Sequence, residues 1–124
     1  MIRYIHLIIG GAAGTIARYA VSGVAYRIFG VGFPYGTFSV NLIGCFILGF
    51  LASFAERKLF LDTNARLLLM VGFCGAFTTF STFILETANL IKDGEATRAF
   101  LNVLLSVVIG FIVLRVGVLL GEII

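Results

Sequence analysis

Long apolar runs cut by short polar breaks set the plan of this chain. Residues 4–28 are largely apolar, with Arg18 the notable interruption. The stretch GVGFPYG at 30–36 then gathers three glycines and the only proline, a strong chain breaker. A second apolar segment covers 37–55 and stops at Glu56, Arg57 and Lys58. After the polar connector ERKLFLDTNAR, a third covers 67–91 and closes on KDGE at 92–95; a fourth covers 98–121. Crossing the hydrocarbon of a bilayer takes about 20 mostly apolar helical residues. The pattern therefore predicts an all-α membrane protein, one domain over 1–124 with four transmembrane helices.

Composition narrows this further. Of the 124 residues 60% are hydrophobic and 12% charged, and the mean hydropathy is +1.13. A soluble domain carries about a quarter charged residues and needs a polar shell that this chain cannot supply. The net charge of +3 is spread over short loops without a basic run, which gives no reason to expect nucleic acid. Cys45 and Cys74 fall singly in two apolar segments and read as small packing residues, not as a disulfide or metal framework. Tryptophan is absent, so Tyr4, Tyr19, Tyr26 and Tyr35 are the residues for an interfacial aromatic belt. Arg3 followed by LIIGGAAGTIA imitates a secretory leader. Because Arg18 and Tyr19 come straight after and apolar character resumes to Val24, a retained first helix is the expectation.

Small residues recur at four-residue spacing: Gly10 and Gly14, then Cys45, Gly49 and Ser53, then Gly117 and Gly121. Such residues share one helix face and allow backbones to approach closely. Basic residues are nearly balanced across the membrane. Arg3, Arg57, Lys58 and Arg66 fall on one side, Arg27, Lys92 and Arg98 on the other. A fixed orientation usually needs a clear cytoplasmic excess. The balance fits insertion in both directions and antiparallel pairing, or an orientation set by a few residues only.

Several polar residues lie where lipid should exclude them: Arg18, Asn41, the run Thr78–Thr82, Glu86 and Arg115. An ionisable group near the bilayer centre costs at least ~2.5 kcal/mol and usually lines a cavity or finds a partner. Either arginine can instead snorkel to the interface, and Asn41 can simply stitch two helices together. The passage GFCGAFTTFSTF at 72–83 is the densest such region. Its glycines and hydroxyls weaken a helix at mid-span, and carbonyls freed by a break can bind a cation such as Na⁺. Phe80 and Phe83, three residues apart, share a helix face. Their ring edges are electropositive, and with the Asn41 amide and the Ser81 or Thr82 hydroxyls they can replace the water around a small anion. Read from the residues alone, this is an ion-handling membrane protein.

Three ordered stretches carry a resemblance. GGAAGTIARY at 10–19 is a glycine-rich helix ending in arginine; PYGTFSVNLIGCFILGF at 34–50 fits P-x-G-T-x-x-x-N-x-x-G; and GFCGAFTTFSTF fits G-x-x-G-G-x-T-T-F-S-T-F, with Ala76 replacing one glycine. In these the chain resembles the Fluc (CrcB) family of fluoride channels over nearly its full length. The resemblance implies a passive fluoride-selective channel in the cell membrane that lowers cytoplasmic fluoride, built as an antiparallel homodimer in the lipid bilayer. It implies a broken third helix, with the backbone carbonyls of Gly75 and Thr78 from both copies holding a structural, non-transported Na⁺. It also implies that Asn41, Phe80 and Phe83 line the pore, that Ser81, Thr82 and Thr37 supply hydroxyls, that Arg18 lies in the vestibule and that Glu86 stands close to the route.

One departure is expected to matter. The family offers small hydroxyl residues from its fourth helix, whereas the counterparts here are Gly110 or Phe111 and Leu114 or Arg115, with Asn102 and Ser106 lying earlier. Either Arg115 or another donor compensates, or a paralogous partner completes a pore. Ala76 is expected to be costly only where its backbone needs a positive φ. A different class, a small dual-topology drug/proton exporter, needs a membrane-embedded carboxylate, for which Glu86 is the candidate.

Overall fold

The computed structural model describes residues 1–58 and 61–124. Leu59 and Phe60 of the connector, and the side chains of Arg57 and Lys58, lie outside the described residues. The part those two charges were expected to play in orientation lies outside them as well.

Helix α1 is Ile2–Phe29 and ends at Gly30, whose φ of 84° lies in the left-handed region that favours glycine. Pro34, which lacks an N–H, precedes α2, Tyr35–Lys58. The third crossing is composite. Its first part, α3, joins Thr63–Arg66, a π-wound stretch Leu67–Cys74 and Gly75–Phe77. Asp62 caps it by accepting a 2.7 Å bond from the Ala65 N–H. Thr78 and Thr79 are then extended, with φ/ψ of −89/160° and −150/124°. The helix restarts as α4, Phe80–Lys92, and a turn through Gly94 at φ 78° leads to α5, Ala96–Ile123. Among the described residues, four helical segments, counting Thr63–Lys92 as one, are long and apolar enough to cross a membrane. The chain is an all-α, multi-pass membrane protein whose third helix is broken. Among the described residues no strand occurs.

Packing follows the small-residue faces. Gly10 and Gly14 of α1 are buried against the α3 backbone, where a β-carbon would strike Leu68 O or Phe73 O. Gly49 of α2 meets the Leu114 carbonyl of α5, and Gly117 and Gly121 meet the Phe46 and Phe50 carbonyls of α2. Two backbone-to-backbone seams result, α1 on α3 and α2 on α5. In a bilayer, where lipid is as apolar as leucine, such close contact is what holds helices together. Gly72 belongs to the first seam: its Cα would lie 3.1 Å from a β-carbon on Gly10. Its use is therefore close packing, and the helix continues through it. Ala76 also lies in right-handed helix, where alanine is the best helix former, so its replacement of a glycine is harmless.

Side chains secure the ends. Arg66 donates to the carbonyls of Ala55 at 3.1 Å and Leu61 at 3.2 Å. Arg98 donates to Gly32 O at 3.0 Å and faces Glu95 at 3.5 Å.

Candidate functional site

The break in the third crossing is held by a residue 38 positions away. Asn41, on α2, donates through its amide nitrogen to Thr79 O at 3.0 Å, and its Oδ1 accepts from the Thr79 N–H at 2.8 Å. The amide thus mimics a strand neighbour and makes the extended conformation of Thr79 affordable in an apolar setting. Gly44, one turn further along α2, admits Thr78: a β-carbon there would strike Thr78 Cγ2.

This arrangement has a direct effect on two carbonyls. In an unbroken helix Thr79 N–H would donate to Gly75 O, and Thr82 N–H to Thr78 O. Instead Thr79 N–H goes to Asn41, and Thr82 N–H goes to the Thr79 hydroxyl at 3.3 Å, where Thr79 acts as the N-cap of α4. Gly75 and Thr78 therefore lose their helical donors. Gly75 is exposed, and a β-carbon on it would meet nothing within 4 Å. Carbonyl oxygens suit a hard cation, so the donor set fits Na⁺.

Beside the break runs a groove of about 380 Å³. Asn41, Cys45, Cys74, Thr78, Thr79, Phe80, Phe83 and Ser106 are among its walls, and none of the residues lining it is charged. The rings of Phe80 and Phe83 lie 6.0 Å apart at 43°. Phe83 is buried, whereas Phe80 is 75% exposed at the open side. The Ser106 hydroxyl is buried and has no partner among the described residues. One amide proton of Asn41 is engaged with Thr79 and the other remains. The groove thus presents donors and ring edges with no acceptor charge.

A second, polar cavity of about 350 Å³ adjoins it, lined by Thr15, Arg18, Tyr19, Ser22, Tyr26, Thr37, Thr79, Thr82 and Glu86. Thr79 lines both spaces, so the extended residue of the break is their common wall. Tyr26 donates to Glu86 Oε1 at 3.2 Å.

The structure therefore brings the expected residues together in two groups. Asn41, Phe80, Phe83 and the Gly75–Thr78 backbone border the groove; Arg18, Thr37, Thr82 and Glu86 border the polar cavity. Ser81 is exposed and lines neither.

The fourth helix adds a further residue to the groove. Phe111 and Arg115 are exposed, Leu114 presents its carbonyl to Gly49, and Gly110 packs near Cys45. The inward face of α5 runs through Asn102, Ser106 and Gly110 at four-residue steps, in phase with Gly117 and Gly121. Ser106 is the hydroxyl in the groove. Asn102, 1% exposed, donates to Thr87 Oγ1 at 2.9 Å, and Thr87 donates to Phe83 O at 2.8 Å, fixing α4 behind the Phe83 ring. Tyr26, expected in the aromatic belt, turns inward to Glu86 instead. The glycine spacing on α5 was a usable signal for Ser106; nothing in the sequence marked Tyr26.

Comparison with known proteins agrees with this architecture. A family model described as "CrcB-like protein, Camphor Resistance (CrcB)" matches residues 5–118. The chain is 46% identical over 124 residues, 100% of its length and 98% of the relative's, to a protein of Maridesulfovibrio salexigens named fluoride-specific ion channel FluC. It is 49% identical over 113 residues to one of the same name from Chlorobaculum tepidum, covering 91% of this chain and 89% of that one. A Solidesulfovibrio magneticus protein, also so named, is 43% identical over 116 residues, covering 94% and 93%. With a family match over most of its length and relatives of this identity, the chain belongs to the CrcB family.

Proposed function

We propose that the chain is a fluoride-specific ion channel that lets F⁻ leave the cell passively. The observation that carries the reading is the groove: a Ser106 hydroxyl buried without a partner among the described residues, a spare Asn41 N–H and two phenylalanine rings, with no charged residue in its lining. A small anion holds its water tightly, and a route through lipid must replace that water with donors. Hydroxyls, amide protons and positive ring edges do so without the deep trap that a buried arginine would create. Arg18 stands in the adjoining cavity, where its charge draws anions toward Thr37, Thr79 and Thr82. A proton-coupled drug exporter would need a membrane-embedded carboxylate; the candidate, Glu86, lies in the adjoining cavity beside Tyr26, not in the groove.

The channel is proposed to be a dimer of oppositely oriented copies. Gly75 and Thr78 carbonyls without helical donors are costly in lipid unless protein or an ion meets them. An inverted twin would bring a second Gly75–Thr78 pair to the same place, and the near-even distribution of basic residues permits both orientations. A sodium ion held by these carbonyls would supply fixed positive charge that satisfies them and ties the two copies together. Ser106 in the groove supports pairing with a second copy of this chain, since it supplies a hydroxyl from the fourth helix.

The test is efflux from liposomes carrying the purified chain alone, followed with fluoride and chloride electrodes. Fluoride is expected to leave while chloride stays. Release of both, or of neither, contradicts the proposal.

A further inference from the structure

We propose that Cys45, Cys74 and Met70 form a binding site for a soft monovalent metal ion, of the Cu⁺ or Ag⁺ class, in the wall of the groove. The site goes beyond the fluoride reading and does not depend on it. The chain has two cysteines and two methionines, and all of these but Met1 line this one space. Both cysteines are free. They belong to different crossings and are joined through the break. Thr78 donates to Cys74 O from its N–H at 3.1 Å and from its hydroxyl at 2.9 Å. The methyl of the same Thr78 rests on Gly44, the residue before Cys45. Met70 precedes Cys74 by four residues on the π-wound stretch, and both face the groove. None of the three sulfurs needs to be wedged in place. A β-carbon on Gly110 would meet Cys45 Sγ at 3.7 Å and Leu42 at 3.9 Å, ordinary contact distances, so the thiol has room to turn. The methionine thioether sits on an unbranched, adaptable chain.

The donor set selects the ion. Thiolate and thioether sulfur favour soft ions such as Cu⁺. Structural Zn²⁺ takes four N, S or O ligands, and among the described residues no group of three or more His, Cys, Asp or Glu could hold a metal. Charge points the same way. No charged residue lines the groove, and burying net charge there is costly. A monovalent ion that replaces one thiol proton leaves the site neutral. The S–H bond breaks, an S–metal bond forms and the proton leaves to water, with no change of oxidation state. The second thiol and the thioether then ligate as neutral donors. Na⁺, proposed above for the neighbouring Gly75 and Thr78 carbonyls, is a hard ion and does not compete for sulfur.

The test uses the full chain in detergent, free of chloride and reductant, with silver nitrate as the probe and a small soluble thiol as competitor. Silver retained through gel filtration is counted by elemental mass spectrometry. One silver per chain is expected. Even an outer partner of a metal is worth about 10–100-fold in affinity, so Cys45→Ala, Cys74→Ala and Met70→Leu should each weaken retention roughly tenfold or more. Should Cys74→Ala fail to fold, Cys45→Ala and Met70→Leu carry the test. Two silvers per chain, of which each cysteine variant removes one, would mean separate packing thiols and overturn the site. No retention, or retention indifferent to Met70→Leu, would overturn it too. Fluoride efflux from proteoliposomes, with each variant compared with itself before and after silver, separates this from the fluoride reading. Silver should slow efflux through the parent, and Met70→Leu should need roughly tenfold more of it. Silver held by a chain that passes no fluoride upholds the site and overturns the fluoride reading. Silver held while fluoride passes undiminished upholds the site and removes the groove from the anion route.

Discussion

The two halves of the third crossing are held by opposite means. The half before the break, 63–77, is pressed backbone to backbone against α1 through Gly10, Gly14 and Gly72. The half after it, Phe80–Lys92, is tied by single side-chain bonds: Asn41 and the Thr79 cap at its start, Tyr26 to Glu86, and Asn102 through Thr87 behind Phe83. Backbone seams tolerate no added atom and have one arrangement. Side-chain ties can be exchanged one at a time, at modest cost each. The first half therefore behaves as a foundation, and the second is where, in the proposed channel, an ion would exchange places with protein groups.

The most damaging change should be in the foundation. Gly14→Val places atoms on Phe73 O and should cost at or above the upper end of the ~1–3 kcal/mol typical of overpacking. Loss of the folded, assembled species on gel filtration is expected, whereas Gly11→Val, where a β-carbon meets nothing within 4 Å, should behave as the parent. Equal behaviour of the two would remove the distinction between the seams and the ties.

Next comes the clamp. Asn41→Asp turns the donor facing Thr79 O into an acceptor with like charge. An unmet buried group of this kind costs about 2 kcal/mol, so fluoride flux should fall roughly 30-fold. Flux near the parent rate would return Asn41 to a stitching role.

Phe80→Ile keeps apolar bulk and loses the ring edge. Aromatic-specific contacts are worth ~0.5–1.5 kcal/mol, so flux should slow by up to about tenfold. Melting should be unchanged, because Phe80 is 75% exposed in the protomer. A shifted melting temperature at normal flux would make it a packing residue. The smallest effect belongs to Asn102→Leu: interhelical hydrogen bonds in membranes average ~0.6 kcal/mol, a slight drop in melting temperature. A loss as large as that of Gly14→Val would show that α4 is also a foundation.

Much of this architecture was legible in the sequence because lipid imposes a simple code. Apolar runs and the GVGFPYG and KDGE breaks gave four crossings, and four-residue spacing of small residues gave the two seams. The hydroxyl run placed the break. What diverts the Thr79 N–H, however, is an amide 38 residues away, and pairing at that range leaves no local trace. The π-winding of Leu67–Cys74 was invisible because a uniformly apolar stretch such as LLLMV shows no period. The inward place of Ser106 is legible only through Gly110, Gly117 and Gly121, which fix the phase of α5.

The central claim is that Asn41 and Thr79 free the Gly75 and Thr78 carbonyls to face a cation. Solid-state NMR of the chain in lipid, with those carbonyl carbons labelled, tests it most directly when Na⁺ is replaced by a large organic cation. Extended-backbone shifts at Thr78 and Thr79, and sodium-dependent movement confined to the Gly75 and Thr78 carbonyls, are expected. Helical shifts running unbroken from 75 to 82, or carbonyl signals indifferent to sodium, would contradict it.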